Sequence, residues 1–256
     1  MRSINLFLRN IPALFFSWSI SRYVLFSFIT LKLPYPEGKW LKGDVDLYNF
    51  WAQGLVKGIF PIDDSMWQYP PLAGVVFAIP QWIIGDALTG FVFFMVLIDF
   101  LILCVLLIFG RNRFKSNSLS TNVNGLSGAW FWVLWPMLMG PLFLTRFDLV
   151  PTLFAILALI ALSNKKFQPI LSGIFIGLGT MVKLWPVLLL SIYPTKILRK
   201  VSVSILSTSI LVILFMSTWS VGFTSFLNNQ SSRGLQVESI AASPFVLAKV
   251  FGAEVQ

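Results

Sequence analysis

Apolar residues run in long windows at 11 to 31, 88 to 109, 126 to 144, 149 to 163, 169 to 193 and 201 to 222, with a half-length window at 71 to 84. About 20 residues carry an α-helix across a bilayer, and a helix satisfies its own backbone groups there. The pattern predicts an all-α polytopic membrane protein, a helical bundle forming one membrane domain over residues 1–256. Pro71 and Pro80 bracket the short window, which reads as a part-depth helix. Gly173, Gly177, Gly179, Lys183 and Pro186 interrupt 169 to 193, which reads as a broken or re-entrant pair. Composition agrees: 11% of residues are charged, against about 25% in soluble domains, and mean hydropathy is +0.81. The first window contains Arg22 and has no small-residue cleavage site before polar sequence, so it reads as a retained helix.

The net charge of +9 suggests nucleic acid only until its distribution is seen. Arg2 with Arg9, Arg111 with Arg113 and Lys115, Lys165 with Lys166, and Lys196 with Arg199 and Lys200 cluster between windows, and no acid lies among them. These are cytoplasmic collars under the positive-inside rule, and the partner they imply is a lipid bilayer, with no nucleic acid. Collars and windows keep parity only if 71 to 84 and 169 to 193 do not cross as single helices. Residues 32 to 70, the turn at 145 to 148 and the tail from about 223 then share one non-cytoplasmic face.

The longest polar stretch, 32 to 70, holds four lysines and five acids and is expected to fold, since a loop that long without structure is uncommon. There is no histidine, so acid or base chemistry falls to carboxylates. The single Cys104 lies in an apolar run, so no disulfide framework exists. Asp44 and Asp46 are either a catalytic base or caps of a short helix over 47 to 57; Asp44 is favoured as base by its four-residue spacing to Tyr48. Asp63 and Asp64 read as solvated turn residues after Pro61. Tyr48, Trp51, Trp67 and Tyr69 either stack on a ligand at the site mouth or anchor at the interface. Pro70 and Pro71 set an extended approach to the short helix. Asp148 reads as the N-cap of 149 to 163. Arg146 and Arg233 stand outside the collars, where a guanidinium fork suits phosphate. Lys183 lies beside the break at Pro186, either on a phosphate or stabilising the break. Arg22 and Asp99 are each the twelfth residue of their window and are expected to meet as an ion pair.

In order along the chain, Arg22, Asp44-Val45-Asp46-Leu47-Tyr48, Gly58, Pro61, Tyr69-Pro70-Pro71, Arg146-Phe147-Asp148, Lys183-Leu184-Trp185-Pro186 and the RGLQVES stretch at 233 to 239 resemble glycosyltransferase family 87. The likeness runs from about residue 20 to 240. It implies a GT-C-type helical bundle in the plasma membrane, as in actinobacterial enzymes of this kind. It also implies transfer of a mannosyl or arabinosyl unit from a polyprenyl-phosphate sugar donor to a glycolipid or glycan acceptor. The resemblance assigns the catalytic role to Asp44 or Asp46, and donor-phosphate or substrate contacts to Arg22, Tyr48, Tyr69, Arg146, Lys183, Arg233, Gln236 and Glu238. No cofactor is implied, and a divalent metal is left open. Family members usually carry further helices, so this chain is expected to be an N-terminal portion. A lipid-linked-sugar flippase is the alternative from another class, since broken helices and midplane charges suit transport equally; a non-catalytic membrane fragment is the third.

Overall fold

A computed structural model of the chain describes residues 10–36, 38–83, 86–116, 125–162, 168–231 and 243–251. Every regular element among them is helical. In chain order these are α1 (Ile11–Ile29), α2 (Gly43–Leu55), α3 (Pro71–Ala78), α4 (Ala87–Ser116), α5 (Ser127–Met139), α6 (Leu142–Thr145), α7 (Leu149–Ala161), α8 (Gln168–Val182), α9 (Thr195–Trp219), α10 (Ser225–Ser231) and α11 (Ser243–Val250). Short 3₁₀ segments occupy Gly38–Trp40, Ile79–Trp82 and Trp185–Ile192. The protein is an all-α polytopic membrane protein. Helix α1, the Ala87–Gly110 part of α4, and α9 are each long and apolar enough to cross a bilayer.

The shorter apolar helices follow from local chemistry. Pro71 opens α3 at a position whose N–H would be unpaired anyway, and the helix passes into the 3₁₀ turn containing Pro80 after eight residues. The 126 to 144 window does not form one helix. Gly140, at φ 73°, stops α5 in a conformation that costs other residues, and Pro141 starts the four-residue α6. The 169 to 193 window breaks where expected: α8 ends at Val182, and the chain resumes at Trp185–Ile192 as 3₁₀ helix. At 1.5 Å per residue α7 and α8 are about 20 and 22 Å long, short of the roughly 30 Å hydrocarbon. Helix α9 starts at Thr195, six residues before its apolar window, drawing Lys196, Arg199 and Lys200 into its first turns.

Helix α8 lies between α7 and α9. Its contact with α9 is close because of glycine: a Cβ on Gly173 would sit 2.6 Å from the Val201 carbonyl oxygen, and one on Gly177 2.9 Å from Thr208 Cβ. Ser172 Oγ donates to the Ala158 carbonyl at 2.7 Å and also pairs with the Tyr193 hydroxyl, tying α7, α8 and the returning segment together.

Arg22 of α1 and Asp99 of α4 form the expected ion pair, with 3% and 0% of their side chains exposed. All five guanidinium N–H groups are used. Nε and Nη2 bind the two Asp99 oxygens at 2.8 and 2.9 Å, and the other bonds go to Ser21 Oγ and the carbonyls of Val133 and Trp132. The Trp18 and Trp132 indoles each donate to one Asp99 oxygen, at 2.6 and 2.7 Å. A buried charge pair is tolerated when every donor and lone pair is matched in this way.

The stretch 32 to 70 is folded onto the bundle. Tyr48, Trp51, Phe60, Trp67 and Phe77 are all at most 2% exposed and pack with Tyr69 and Phe147 into one aromatic core. Asp64, expected to be solvated, accepts the Trp51 indole at 2.7 Å and the Met66 amide at 2.9 Å, because the turn after Pro61 folds back over α2. The end of α9 closes the other side. Phe60 N donates to the Val221 carbonyl and Val221 N to that of Gly58, at 3.0 and 2.8 Å. Gly58 has φ +75°, and a Cβ there would lie 2.4 Å from the Trp219 carbonyl. Helix α10 adds Ser225 Oγ on the Pro61 carbonyl, and Asn229 Nδ2 on the carbonyls of Asp64 and Trp67.

Candidate active site

Four charged side chains, one from α2, two from the link between α6 and α7 and one from the break after α8, form two ion pairs at the aromatic core. Asp44 lies in the first turn of α2, which starts at Gly43 and not at residue 47. The N-cap position falls on Lys42, so neither Asp44 nor Asp46 caps the helix; both sit inside its first turn, where a carboxylate opposes the positive end of the helix dipole. Arg146 follows α6 with extended backbone, φ −111° and ψ 144°, which turns its side chain back toward α2. Its Nε lies 2.7 Å from Asp44 Oδ2.

Two residues later Asp148 precedes α7. It occupies the N-cap position but makes no side-chain cap hydrogen bond, because its own φ and ψ are helical. Its carboxylate is spent instead on Lys183, which donates from Nζ to Oδ1 at 2.6 Å across the break after α8. Phe147, 1% exposed, roots the intervening residue in the core, and Lys183 Nζ lies 5.0 Å from its ring centroid. The site is thus two ion pairs, Asp44 with Arg146 and Asp148 with Lys183, carried on either side of one buried phenylalanine. Both pairs are partly open: 31% of the Asp44 side chain, 49% of Arg146, 47% of Asp148 and 35% of Lys183 remain exposed.

Beneath the charges lie two tyrosines. Burial pushes the Tyr48 phenol well above its ordinary range, with Tyr69 and Asp44 adding to the effect; burial, then Asp44, does the same for Tyr69. Both hydroxyls stay neutral at physiological pH. The Tyr48 hydroxyl lies beside Tyr69 but makes no hydrogen bond of normal geometry. Tyr48 stacks on Phe77 at 4.3 Å between centroids, which makes it core and not a sugar platform; Trp51 and Trp67 are buried with it. Tyr69, half-buried, is the aromatic of this group nearest to an open position.

The remaining sequence-derived positions separate from this cluster. Asp46 is exposed, and its ion-pair contact is Lys42, the residue before its own helix, at 3.9 Å. Arg22 has committed all its donors to Asp99 and its neighbours, so the geometry gives it a scaffold role and leaves no N–H for a phosphate. Arg233, Gln236 and Glu238 lie outside the described residues. Among the described residues no three carboxylate, thiol or imidazole groups converge as a metal site. Sequence reasoning missed the Asp148 carboxylate as a site group; its signal was the lone acid within TRFDLVP, outweighed there by its capping position.

Between α8 and α9 runs a groove of about 900 Å³ walled by Ile170, Ile174, Leu178, Leu211 and Phe215, with Arg199 and Lys200 also lining it. Leu178 is five residues before Lys183, about 7.5 Å of helix rise.

No curated protein and no solved structure matches the chain. Residues 67–254 match the family model for glycosyltransferase family 87, a span that contains Arg146, Asp148 and Lys183 and begins after Asp44. Most of the sequence is covered by that match, and the chain belongs to glycosyltransferase family 87.

Proposed function

We propose that the protein transfers a mannosyl or arabinosyl unit from a polyprenyl-phosphate donor to a glycolipid or glycan acceptor at the non-cytoplasmic face of the plasma membrane. Family membership supports sugar transfer. The observation that carries the finer reading is the pairing of Asp44 with Arg146 next to Asp148 with Lys183, which supplies a carboxylate base and two cations in one half-open place. Asp44 takes the proton from the acceptor hydroxyl as its oxygen attacks the anomeric carbon. The bond from that carbon to the phosphate oxygen breaks, and the polyprenyl phosphate leaves with the electron pair, neutralised by Arg146 and Lys183. A single displacement inverts the anomeric centre, and no acid is needed for a phosphate leaving group. The largely apolar groove between α8 and α9 suits a lipid chain. Arg233, Gln236 and Glu238 remain assigned to the donor by their motif alone.

The closed Arg22–Asp99 network weakens the flippase alternative, because a pair with every donor matched is a poor moving charge. The test is product. Purified protein is given polyprenyl-phospho-mannose or polyprenyl-phospho-arabinose and a glycolipid acceptor, and mass spectrometry looks for one added sugar. Asp44→Asn is expected to lower turnover by about 10²- to 10⁴-fold, the usual worth of a general base, with Asp46→Asn near normal. Transbilayer movement of the donor with no glycosylated product overturns the reading.

A further inference from the structure

The base and the cation of this site neutralise each other. Arg146 Nε, which a donor phosphate would seek, is held 2.7 Å from Asp44 Oδ2, the oxygen an acceptor hydroxyl would seek. We propose that Asp44 and the donor phosphate compete for Arg146, so that arrival of the donor itself releases the catalytic carboxylate. This rests on the assignment of a lipid-phosphate donor made above.

Three observations carry it. The Arg146 side chain is half exposed and leaves an extended backbone, so it can rotate from one anion to another without unfolding a helix. Asp44, by contrast, is fixed on α2, whose Val45, Tyr48, Trp51 and Ala52 are buried, so the arginine is the partner that moves. The third is the repeat of the arrangement at Asp148 and Lys183, so in the resting site each cation already has its own carboxylate. An incoming phosphate is a second anion whose oxygens fit the guanidinium fork, so the two compete for one cation. Once Arg146 has turned, the Asp44 carboxylate is free to take the proton of an acceptor hydroxyl. The base is therefore engaged by its arginine until a donor is present, and the order of binding is donor first. Such an arrangement also suppresses activation of water or acceptor in an empty site.

The exchange makes a prediction opposite to that of a simple substrate contact. Farnesyl phosphate is titrated into the purified full chain in detergent, with uncharged farnesol as control, and binding is read by calorimetry; neither the sugar nor turnover is needed. Asp44→Asn, though slowed in transfer, is expected to bind farnesyl phosphate about two- to fivefold more tightly than the parent, the range set by the strength of half-exposed ion pairs. Asp44→Ala is expected to do the same. Arg146→Ala is expected to bind more weakly, and adding Asp44→Asn to it is expected to bring no recovery. Equal or weaker binding by both Asp44 variants, with Arg146→Ala still impaired, overturns the competition and leaves the proposed function standing. Binding of farnesyl phosphate no better than farnesol in the parent protein overturns the lipid-phosphate assignment, and the competition with it.

Discussion

Neutralising the charge on Asp99 separates a scaffold role for Arg22 from a substrate role. The Asp99 carboxylate accepts four hydrogen bonds, two from Arg22 and one each from the Trp18 and Trp132 indoles, with none of its side chain exposed. Asp99→Asn leaves a guanidinium buried without a counter-charge, and Arg22→Met leaves the carboxylate with the two indoles alone. Breaking one side of a buried pair costs about 3 to 5 kcal/mol, so the two single effects sum to about 6 to 10 kcal/mol. In the double variant Arg22→Met with Asp99→Asn no charge remains. The asparagine oxygen still accepts one indole, and the loss reduces to the other indole and the Trp132 carbonyl, which Pro136 denies a helix N–H, at about 1 kcal/mol each. The assay is reversible unfolding of the four proteins in detergent micelles, followed by sugar transfer at a temperature where all four are folded. The expected result is a double variant more stable than either single variant, with transfer close to the parent level. A double variant as unstable as the summed singles refutes the closed-network account. A stable double variant with transfer as low as in Arg22→Met shows that Arg22 touches substrate, and overturns the scaffold assignment.

Tyr48→Phe removes a buried hydroxyl that makes no normal hydrogen bond, so stability at neutral pH is expected to be unchanged or to rise by about 1 kcal/mol. The Tyr48 phenol is raised by burial, so above the unfolded value of about 10 the unfolded chain loses a proton that the folded chain keeps; stability falls as pH climbs past that point, and the fall is smaller in Tyr48→Phe. Unfolding curves at pH 8 and pH 11 check both signs, and an equal alkaline loss in the two proteins contradicts them. In a protein lacking Cys104, cysteines placed at the exposed positions Ser65 and Thr224 are expected to react together with an impermeant maleimide in intact cells; protection of either removes the proposed outer face.

Much of the framework was legible because it depends on partition between water and lipid, which composition along the chain records directly. The helical class, the short helix opening at Pro71, the break between Val182 and Trp185 and the meeting of Arg22 with Asp99 all follow from apolar run length, proline and glycine placement, and position within a window. Position in a window does not say which side chains share a partner. Asp148 has the sequence position of a cap, yet its helical backbone angles aim the carboxylate away from the helix amides and toward Lys183, 35 residues on. Asp64 has the look of a turn residue, but the turn folds over α2 and brings it the Trp51 indole. Tyr48 and Trp67 have the composition of an interfacial belt, yet Phe77, Phe91 and Phe147 packed around Tyr48, and the closure of the 58 to 67 stretch against Val221, Ser225 and Asn229 around Trp67, make them core. The pairing of Asp44 with Arg146 belongs to the same class. Chemistry of residue type fixed that each needs an opposite charge, and only the packing of α2 against the bundle decided which charge lies 2.7 Å away.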